Sequence, residues 1–228
     1  MNFEKLESEL RGGLFEGRGG WEFKDVEMMK EFVDYRKETV ELTDLECDIA
    51  KSSAQRMAEG RSRQYGNFAV GNFVTGIKGE MAVAKYLHKI KKFPDLSRAV
   101  SFSRKEYGDG GVDIHWGRWR VDVKTTGTKY GPLVVDSSKP QFHLANIFIM
   151  AHLRTERMEK VEGTTTYRAK KNKVDIYGFL TTEEVFEVTK ENKLVRARYF
   201  DHPQLPTKYS VNCWELRPIR DLMPTTTA

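Results

Sequence analysis

The chain has 228 residues, of which 39% are hydrophobic and 31% are charged. This length suits one domain with elaborations, and the apolar fraction is large enough for a buried core. The longest apolar run, residues 144–153, is about half of the roughly 20 residues that a membrane-spanning helix needs, so we expect no membrane partner. The acidic N-terminus has no apolar signal region, and Cys47 and Cys213 are too isolated for a disulfide framework or a zinc site. These features together predict a cytoplasmic location.

Charge is distributed unevenly along the chain. Residues 1–50 contain 7 Lys/Arg and 14 Asp/Glu, whereas residues 51–92 contain 9 Lys/Arg and only 2 Asp/Glu. The whole chain has a formal net charge of +5. Binding to a phosphate backbone requires a basic surface, but an ordinary solvated basic face has the same composition. Charge alone therefore leaves both interpretations open.

The first part of the chain has helical patterns. Helices are predicted over residues 24–37, 43–59 and 76–91. Thr43 and Glu46 have the spacing of a capping box at the start of the second helix. Arg61 and Arg63 follow this helix, and together with Lys129 they are candidate contacts to a nucleic-acid backbone.

The second part of the chain is dominated by strand patterns. Strands are predicted over residues 98–103, 111–116, 119–125, 132–135, 145–152, 173–180 and 209–213, with a short helix over 182–188. Helices that precede a series of strands, with a helix returning later, indicate an α/β or α+β domain. We assign residues 1–66 to an N-terminal arm and helical elaboration and residues 67–228 to the core.

Residues 110–126, GGVDIHWGRWRVDVKTT, predict a β-hairpin. Gly117 suits the first central position of a two-residue type II′ turn, which sets the register. The expected cross-strand pairs are Trp116–Trp119, His115–Arg120, Ile114–Val121, Asp113–Asp122 and Val112–Val123. One face of the hairpin is then apolar, and the other carries Asp113, His115, Arg120, Asp122 and Lys124.

Asp113 and Asp122 form the chemically informative pair. Opposed residues have Cβ atoms about 4.5–5.5 Å apart, so two carboxylates there need a cation, a shared proton or nearby positive charge. Mg²⁺ binds to one or two carboxylates and completes its shell with water and phosphate oxygens. Lys124, two residues further on the same face, would reach a scissile phosphate or orient the attacking water. The alternative is an ordinary solvated hairpin face.

Other hairpin residues have two possible roles. His115 either touches substrate or is a solvated strand residue. Trp116 and Trp119 either stack on bases or form a cross-strand pair in the core, and the second role is the commoner one.

Glu80 lies within the apolar stripe of the helix over residues 76–91. A glutamate is costly to bury there unless it is paired, but at the edge of the stripe it would be hydrated. Gly76 and Gly79 beside it either permit close packing on the sheet or loosen the start of the helix.

These residues, in this order, resemble the PD-(D/E)XK nuclease superfamily. By that resemblance Asp113 and Asp122 bind metal, Lys124 is the catalytic lysine, and Glu80 is the helix glutamate that supports the metal site. The matching segments are GIKGEMAVAKYL (76–87), GDGGVDI (108–114) and VDVKT (121–125).

The match departs from the family pattern at one position. Val112 stands where the family has proline, which carries no chemistry. Asp109 is a rival for the first-aspartate role, but glycines surround it, and Asp113 is preferred because the hairpin register places it opposite Asp122.

The resemblance implies a restriction-endonuclease-like core, a central mixed β-sheet flanked by helices. It also implies a Mg²⁺-dependent nuclease, most simply a DNA endonuclease, that Mn²⁺ also supports. A Holliday-junction resolvase or a processing exonuclease is the alternative within this class, and a homodimer is an open possibility. A stand-alone enzyme of a virus or mobile element, acting in the host-cell cytoplasm, fits this picture. No GxxxxGK[ST] motif is present, so no nucleotide cofactor is expected.

Two interpretations of other classes remain. The first is a nucleic-acid-binding module that kept the fold without the chemistry, although all four catalytic positions hold suitable residues. The second is a structural or protein-interaction domain that docks through its acidic N-terminal region.

Overall fold

The computed structural model describes residues 23–61, 66–91, 112–116, 119–136, 144–154, 158–160, 167–169, 172–185 and 208–222. The helices are α1 (Phe23–Arg36), α2 (Asp44–Arg61) and α3 (Gly66–Lys91), with 3-10 turns at Cys213–Glu215 and Ile219–Asp221. The strands are β1 (Glu38–Glu41), β2 (Ile114–Trp116), β3 (Trp119–Thr126), β4 (Leu133–Asp136), β5 (Ile147–Leu153), β6 (Met158–Lys160), β7 (Tyr167–Ala169), β8 (Lys173–Thr181) and β9 (Lys208–Val211). Within these ranges no helix is long and apolar enough to cross a membrane.

The centre of the fold is a five-stranded mixed sheet with the order β1-β8-β5-β3-β2. β3 and β5 are parallel, and the other neighbouring pairs are antiparallel. All seven residues of β5 are buried, as expected for a central strand covered on both faces. β4 and β9 form a separate two-stranded ribbon, and β6 and β7 form a second one. The chain therefore has a mixed α/β architecture, as the sequence predicted.

Two apolar cores lie on opposite faces of the sheet. On one face α3 packs mainly against β3 and β5, and this core includes Val83, Leu87, Val121, Val123 and Ile149. On the other face α1 and the β4–β9 ribbon pack against β5 and β8, and this core includes Val33, Val135, Phe148, Met150 and Tyr177. The central strands β5 and β8 thus contribute alternate residues to the two cores.

Helix α3 approaches β3 closely at Gly79. A Cβ atom at this position would overlap Oγ1 of Thr125 and would lie 2.8 Å from the Thr125 Cβ. Gly79 therefore permits close packing on the sheet, one of the two roles considered for it. The contact also establishes that α3 covers the face of β3 to which Val121, Val123 and Thr125 belong.

Most of the predicted elements are confirmed with shifted ends. The capping box forms, because the Thr43 backbone N–H donates to Glu46 Oε2 at 2.6 Å and the Glu46 N–H donates to Thr43 Oγ1 at 3.2 Å. α3 begins ten residues before its predicted start, at Gly66. Val70 and Phe73 explain the extension, because they pack against α2 and so outweigh the low helix propensity of nearby glycines.

Two predicted elements fall wholly or partly outside the described residues. The strand expected over residues 98–103 lies outside them, and of the helix expected over 182–188 residues 182–185 are described as helical. The segment assigned to an N-terminal elaboration provides α1 and α2, and it also provides β1, which pairs with β8 at the edge of the main sheet.

Candidate active site

The β2–β3 hairpin forms with the predicted register over three pairs. Trp116 pairs with Trp119, His115 with Arg120, and Ile114 with Val121. The apolar face packs into the core, where Trp116 is buried and Trp119 lies against the same cluster. The core role considered for this tryptophan pair is therefore confirmed.

The predicted register is wrong at Asp113, which does not continue the ladder opposite Asp122. Its backbone N–H donates to the Val121 carbonyl at 3.0 Å, so Asp113 and Ile114 both face Val121 as in a β-bulge. Its Oδ2 accepts the Val123 N–H at 2.6 Å. The carboxylate thus replaces a backbone carbonyl as the acceptor, as short acidic side chains often do near strand ends.

The bulge still leaves the two aspartates close together. The Val123 N–H belongs to the peptide that follows Asp122, so the carboxylate of Asp113 lies one peptide unit away from that residue. Both side chains are buried, with Asp113 6% exposed and Asp122 3% exposed. The sequence therefore located the pair correctly but gave it the wrong geometry.

Asp122 and Lys124 are in direct contact. Lys124 Nζ donates to Asp122 Oδ1 at 2.7 Å, and the lysine side chain is 36% exposed, so it connects the buried carboxylate with solvent. The second oxygen, Oδ2 of Asp122, is buried and has no hydrogen-bond partner among the residues that the structure describes. An ionised oxygen in that position is costly, which makes it a natural ligand for a cation.

Glu80 is carried by α3, which packs on the face of β3 that bears Val121 and Val123. It is partly buried on α3 one turn from Gly76, where an added Cβ would be 3.9 Å from Glu80 Oε1. α3 covers the face of Val121 and Val123, whereas strand alternation directs Asp122 and Lys124 to the opposite face. Among the described residues no three His, Cys, Asp or Glu side chains are grouped closely enough to hold one metal ion.

Of the three residues predicted to contact nucleic acid, two lie within the described segments. Arg61 ends α2, and Arg63 lies outside the described residues. Lys129 is in the loop between β3 and β4, where its Nζ is 3.2 Å from Asp34 Oδ2 and 4.4 Å from the ring centroid of Tyr130. Lys129 is therefore at the surface and already paired with a carboxylate.

The polar face of the hairpin carries two more basic side chains. His115 is exposed and stands opposite Arg120. The Asn146 side chain, at the start of β5, accepts the Arg120 backbone N–H at 3.1 Å and its Nε–H at 3.3 Å through Oδ1. Sequence analysis placed Arg120 on this face, but its partner is 26 residues away and no local pattern indicates the contact.

A second buried polar cluster, centred on Asp175, was not predicted. Arg154 forms a two-pronged ion pair with Asp175, with N–O distances of 2.8 and 2.7 Å, and Thr39 Oγ1 donates to it at 2.7 Å. Nδ1 of His152 and Nζ of Lys37 each lie 3.7 Å from its Oδ2. The only sequence signal was an aspartate inside an otherwise apolar strand.

The surroundings of Asp175 control its protonation. Burial by itself raises the pKa of this carboxyl, but His152, Arg154 and Thr39, with the charge of Lys37, lower it by more. The net pKa is well below the usual range, so the group stays ionised. It ties α1, β1, β5 and β8 together rather than acting as a proton donor.

No family model, curated protein or solved structure matches this chain.

Proposed function

We propose that this protein is a metal-dependent nuclease whose active site comprises Asp113, Asp122 and Lys124. The proposal depends on one observation above all, the buried Oδ2 of Asp122, for which the described part of the chain provides no hydrogen-bond partner. A folded chain rarely leaves an ionised oxygen in this state unless something binds there. The neighbouring Asp113 carboxylate favours a cation as the ligand of this oxygen. The Lys124 ammonium favours a phosphate group next to that cation.

The chemistry of the two carboxylates fits Mg²⁺ or Mn²⁺. Both ions prefer oxygen ligands, and Mg²⁺ needs only one or two carboxylates because water and substrate phosphate oxygens complete its octahedral shell. Asp122 and Asp113 supply that number. We leave Glu80 outside this shell, because α3 covers the opposite face of β3.

Each residue then has a distinct task. The carboxylates of Asp113 and Asp122 hold the cation at the edge of the hairpin. Lys124 Nζ, now hydrogen-bonded to Asp122, is exposed enough to donate to a non-bridging phosphate oxygen and stabilise its growing negative charge. A bound Mg²⁺ supplies Lewis acidity and a nucleophilic water at neutral pH.

The substrate is proposed to be DNA, and the core to be restriction-endonuclease-like. The support is the chain order of helix, β2–β3 hairpin and a strand parallel to β3, together with the resemblance in residues 76–125. Endonuclease action is the simplest form. A junction resolvase or processing exonuclease uses the same groups, and a homodimer would serve enzymes that cut both strands.

An inert nucleic-acid-binding module is the second candidate. The observation in its favour is that Lys124 already neutralises Asp122, while the helix that carries Glu80 packs on the opposite face of β3. Such a module would bind nucleic acid without cleaving it.

Cleavage assays with matched variants test the proposal. Supercoiled plasmid, linear duplex, single strands and a four-way junction are incubated with Mg²⁺, Mn²⁺ or EDTA. Wild type and Asp48→Asn, an exposed carboxylate on α2, are expected to cleave with metal. Asp122→Asn is expected to lower the rate at least about 100-fold, as removal of one major electrostatic contributor does.

The outcomes separate the candidates. Metal-dependent cleavage that Asp122→Asn abolishes supports the nuclease, and the preferred substrate names its subclass. Binding without cleavage under any metal favours the inert module. Cleavage that persists at the wild-type rate in Asp122→Asn would show that the active site is elsewhere.

A further inference from the structure

Arg120 belongs to the same row of side chains as the proposed active site. Strand alternation places Arg120, Asp122 and Lys124 on one face of β3, and His115 stands opposite Arg120 on β2. Same-face neighbours on a strand are about 6.6 Å apart, so Arg120 and Lys124 flank Asp122 at about 13 Å from each other. Arg120 is partly exposed.

Asn146 holds the Arg120 side chain in place. Its Oδ1 accepts both the backbone N–H and the Nε–H of Arg120, and its own backbone N–H donates to the Arg120 carbonyl at 2.8 Å. Two donors from one residue that converge on a single atom identify that atom as the amide oxygen. The guanidinium is thus anchored at Nε, and its four terminal N–H groups point away from the anchor.

The Arg120 side chain is held by a neutral partner, which distinguishes it from Arg154 and Arg217. Arg154 is paired with the carboxylate of Asp175, and Arg217 with that of Glu184. In those pairs the positive charge is neutralised within the protein. A carboxamide instead orients the guanidinium without cancelling its charge, which suits a group that must meet an external anion.

We propose that Arg120 binds a backbone phosphate next to the scissile phosphate, and that Asn146 is its positioning residue. This inference rests on the proposed nuclease function. The planar guanidinium donates two parallel hydrogen bonds to phosphate oxygens, which a lysine does not. Asn146 holds the Arg120 side chain and Asp122 holds that of Lys124, so the two cationic ends stay apart, and we assign Arg120 to the neighbouring phosphate of the nucleic-acid strand.

DNA-binding measurements test Arg120 separately from catalysis. Labelled duplex and single-stranded DNA are titrated in EDTA, where no metal-dependent cleavage occurs, at several salt concentrations. Arg120→Gln is expected to raise Kd about tenfold and to reduce the slope of log K against log salt by about one. The Kd of Arg120→Lys is expected to lie between those of wild type and Arg120→Gln. Arg56 is an exposed arginine on α2, and Arg56→Gln is expected to change Kd less than twofold.

Asn146→Asp tests the positioning role. The new carboxylate would pair with Arg120 as carboxylates do elsewhere in the fold, so thermal stability is expected to stay equal or rise while DNA affinity falls severalfold. A purely structural Asn146 would show the reverse, lower stability with unchanged affinity, and that result would overturn its assignment.

The remaining outcomes are distinguishable from failure of the nuclease proposal. If wild type binds DNA through Arg120 but cleaves nothing, the contact stands and the nuclease proposal falls. If wild type cleaves and Arg120→Gln behaves like Arg56→Gln, only the contact is overturned. A higher KM with unchanged kcat supports a flanking phosphate, whereas a lower kcat with unchanged KM would move Arg120 to the reacting phosphate and refute the assignment. Wild type that binds no DNA would overturn both.

Discussion

Replacing Lys124 with methionine tests the electrostatics of the proposed site without any substrate. Lys124 is the only cation within ion-pair distance of Asp122 among the described residues, at 2.7 Å. Removing one partner of a buried pair costs about 3–5 kcal/mol, because the other charge is left in an apolar environment. The side chain of Lys124 is 36% exposed, so water would partly fill its place. We therefore expect Lys124→Met to lose about 1–3 kcal/mol in EDTA, less than a fully buried pair would lose.

A double-mutant cycle identifies the origin of that loss. In Asp122→Asn/Lys124→Met neither of the two positions carries a charge and no Asp122 carboxylate is left without its lysine, so the double variant is expected to be more stable than Lys124→Met alone, by about 1–2 kcal/mol. Lys89→Met, an exposed lysine on α3, is the matched control and is expected to change stability by less than about 0.5 kcal/mol. Urea unfolding followed by circular dichroism gives the midpoints, with the slope m checked for constancy.

Divalent metal should reverse part of the destabilisation. A ligand that binds only to the folded state at ten times its Kd adds about 1.4 kcal/mol. Mg²⁺ or Mn²⁺ is therefore expected to stabilise wild type and Lys124→Met but not Asp122→Asn. The reasoning is refuted if Lys124→Met unfolds at the same urea concentration as Lys89→Met, or if the double variant is no more stable than the single one.

Three further predictions concern the scaffold. Gly79→Ala gains about 1 kcal/mol of helix propensity but forces a Cβ to within 2.8 Å of the Thr125 Cβ, so we expect a net loss of about 1–2 kcal/mol in urea unfolding; greater stability would contradict the close approach. The pKa of Asp175 is lower in the folded state, so the stabilisation from this carboxylate is fully present above the unfolded value of 3.8 and is lost as pH falls through the folded value. Wild type should therefore lose more stability than Asp175→Asn when the pH falls below about 4. Parallel pH profiles of the two proteins would contradict this. Burial raises the pKa of Cys213 to about 12, so this thiol should not react with iodoacetamide in the folded protein. Mass spectrometry should find only Cys47 modified in the folded protein and both cysteines modified in urea. Early modification of Cys213 would be inconsistent with its burial.

Short-range patterns in the sequence were sufficient for much of the fold. The Thr43–Glu46 capping box, the three hairpin pairs from Ile114 to Trp116 and the buried run of β5 all follow from spacing or alternation within a few residues. These features depend on local backbone geometry, which repeats with fixed periods in helices and strands. The pairing of Asp122 with Lys124 belongs to the same class, because residues i and i+2 of one strand share a face.

The tertiary structure decided the geometry of the candidate site. The Asp113 carboxylate accepts the Val123 N–H and interrupts the ladder, and the packing of Gly79 on Thr125 places α3 on the face of β3 opposite to Asp122. The Arg120–Asn146 contact and the Asp175 cluster join residues that are 21 to 138 positions apart. Such contacts depend on which face of the sheet each element covers and on how buried polar atoms find partners, and neither is encoded in the spacing of neighbouring residues.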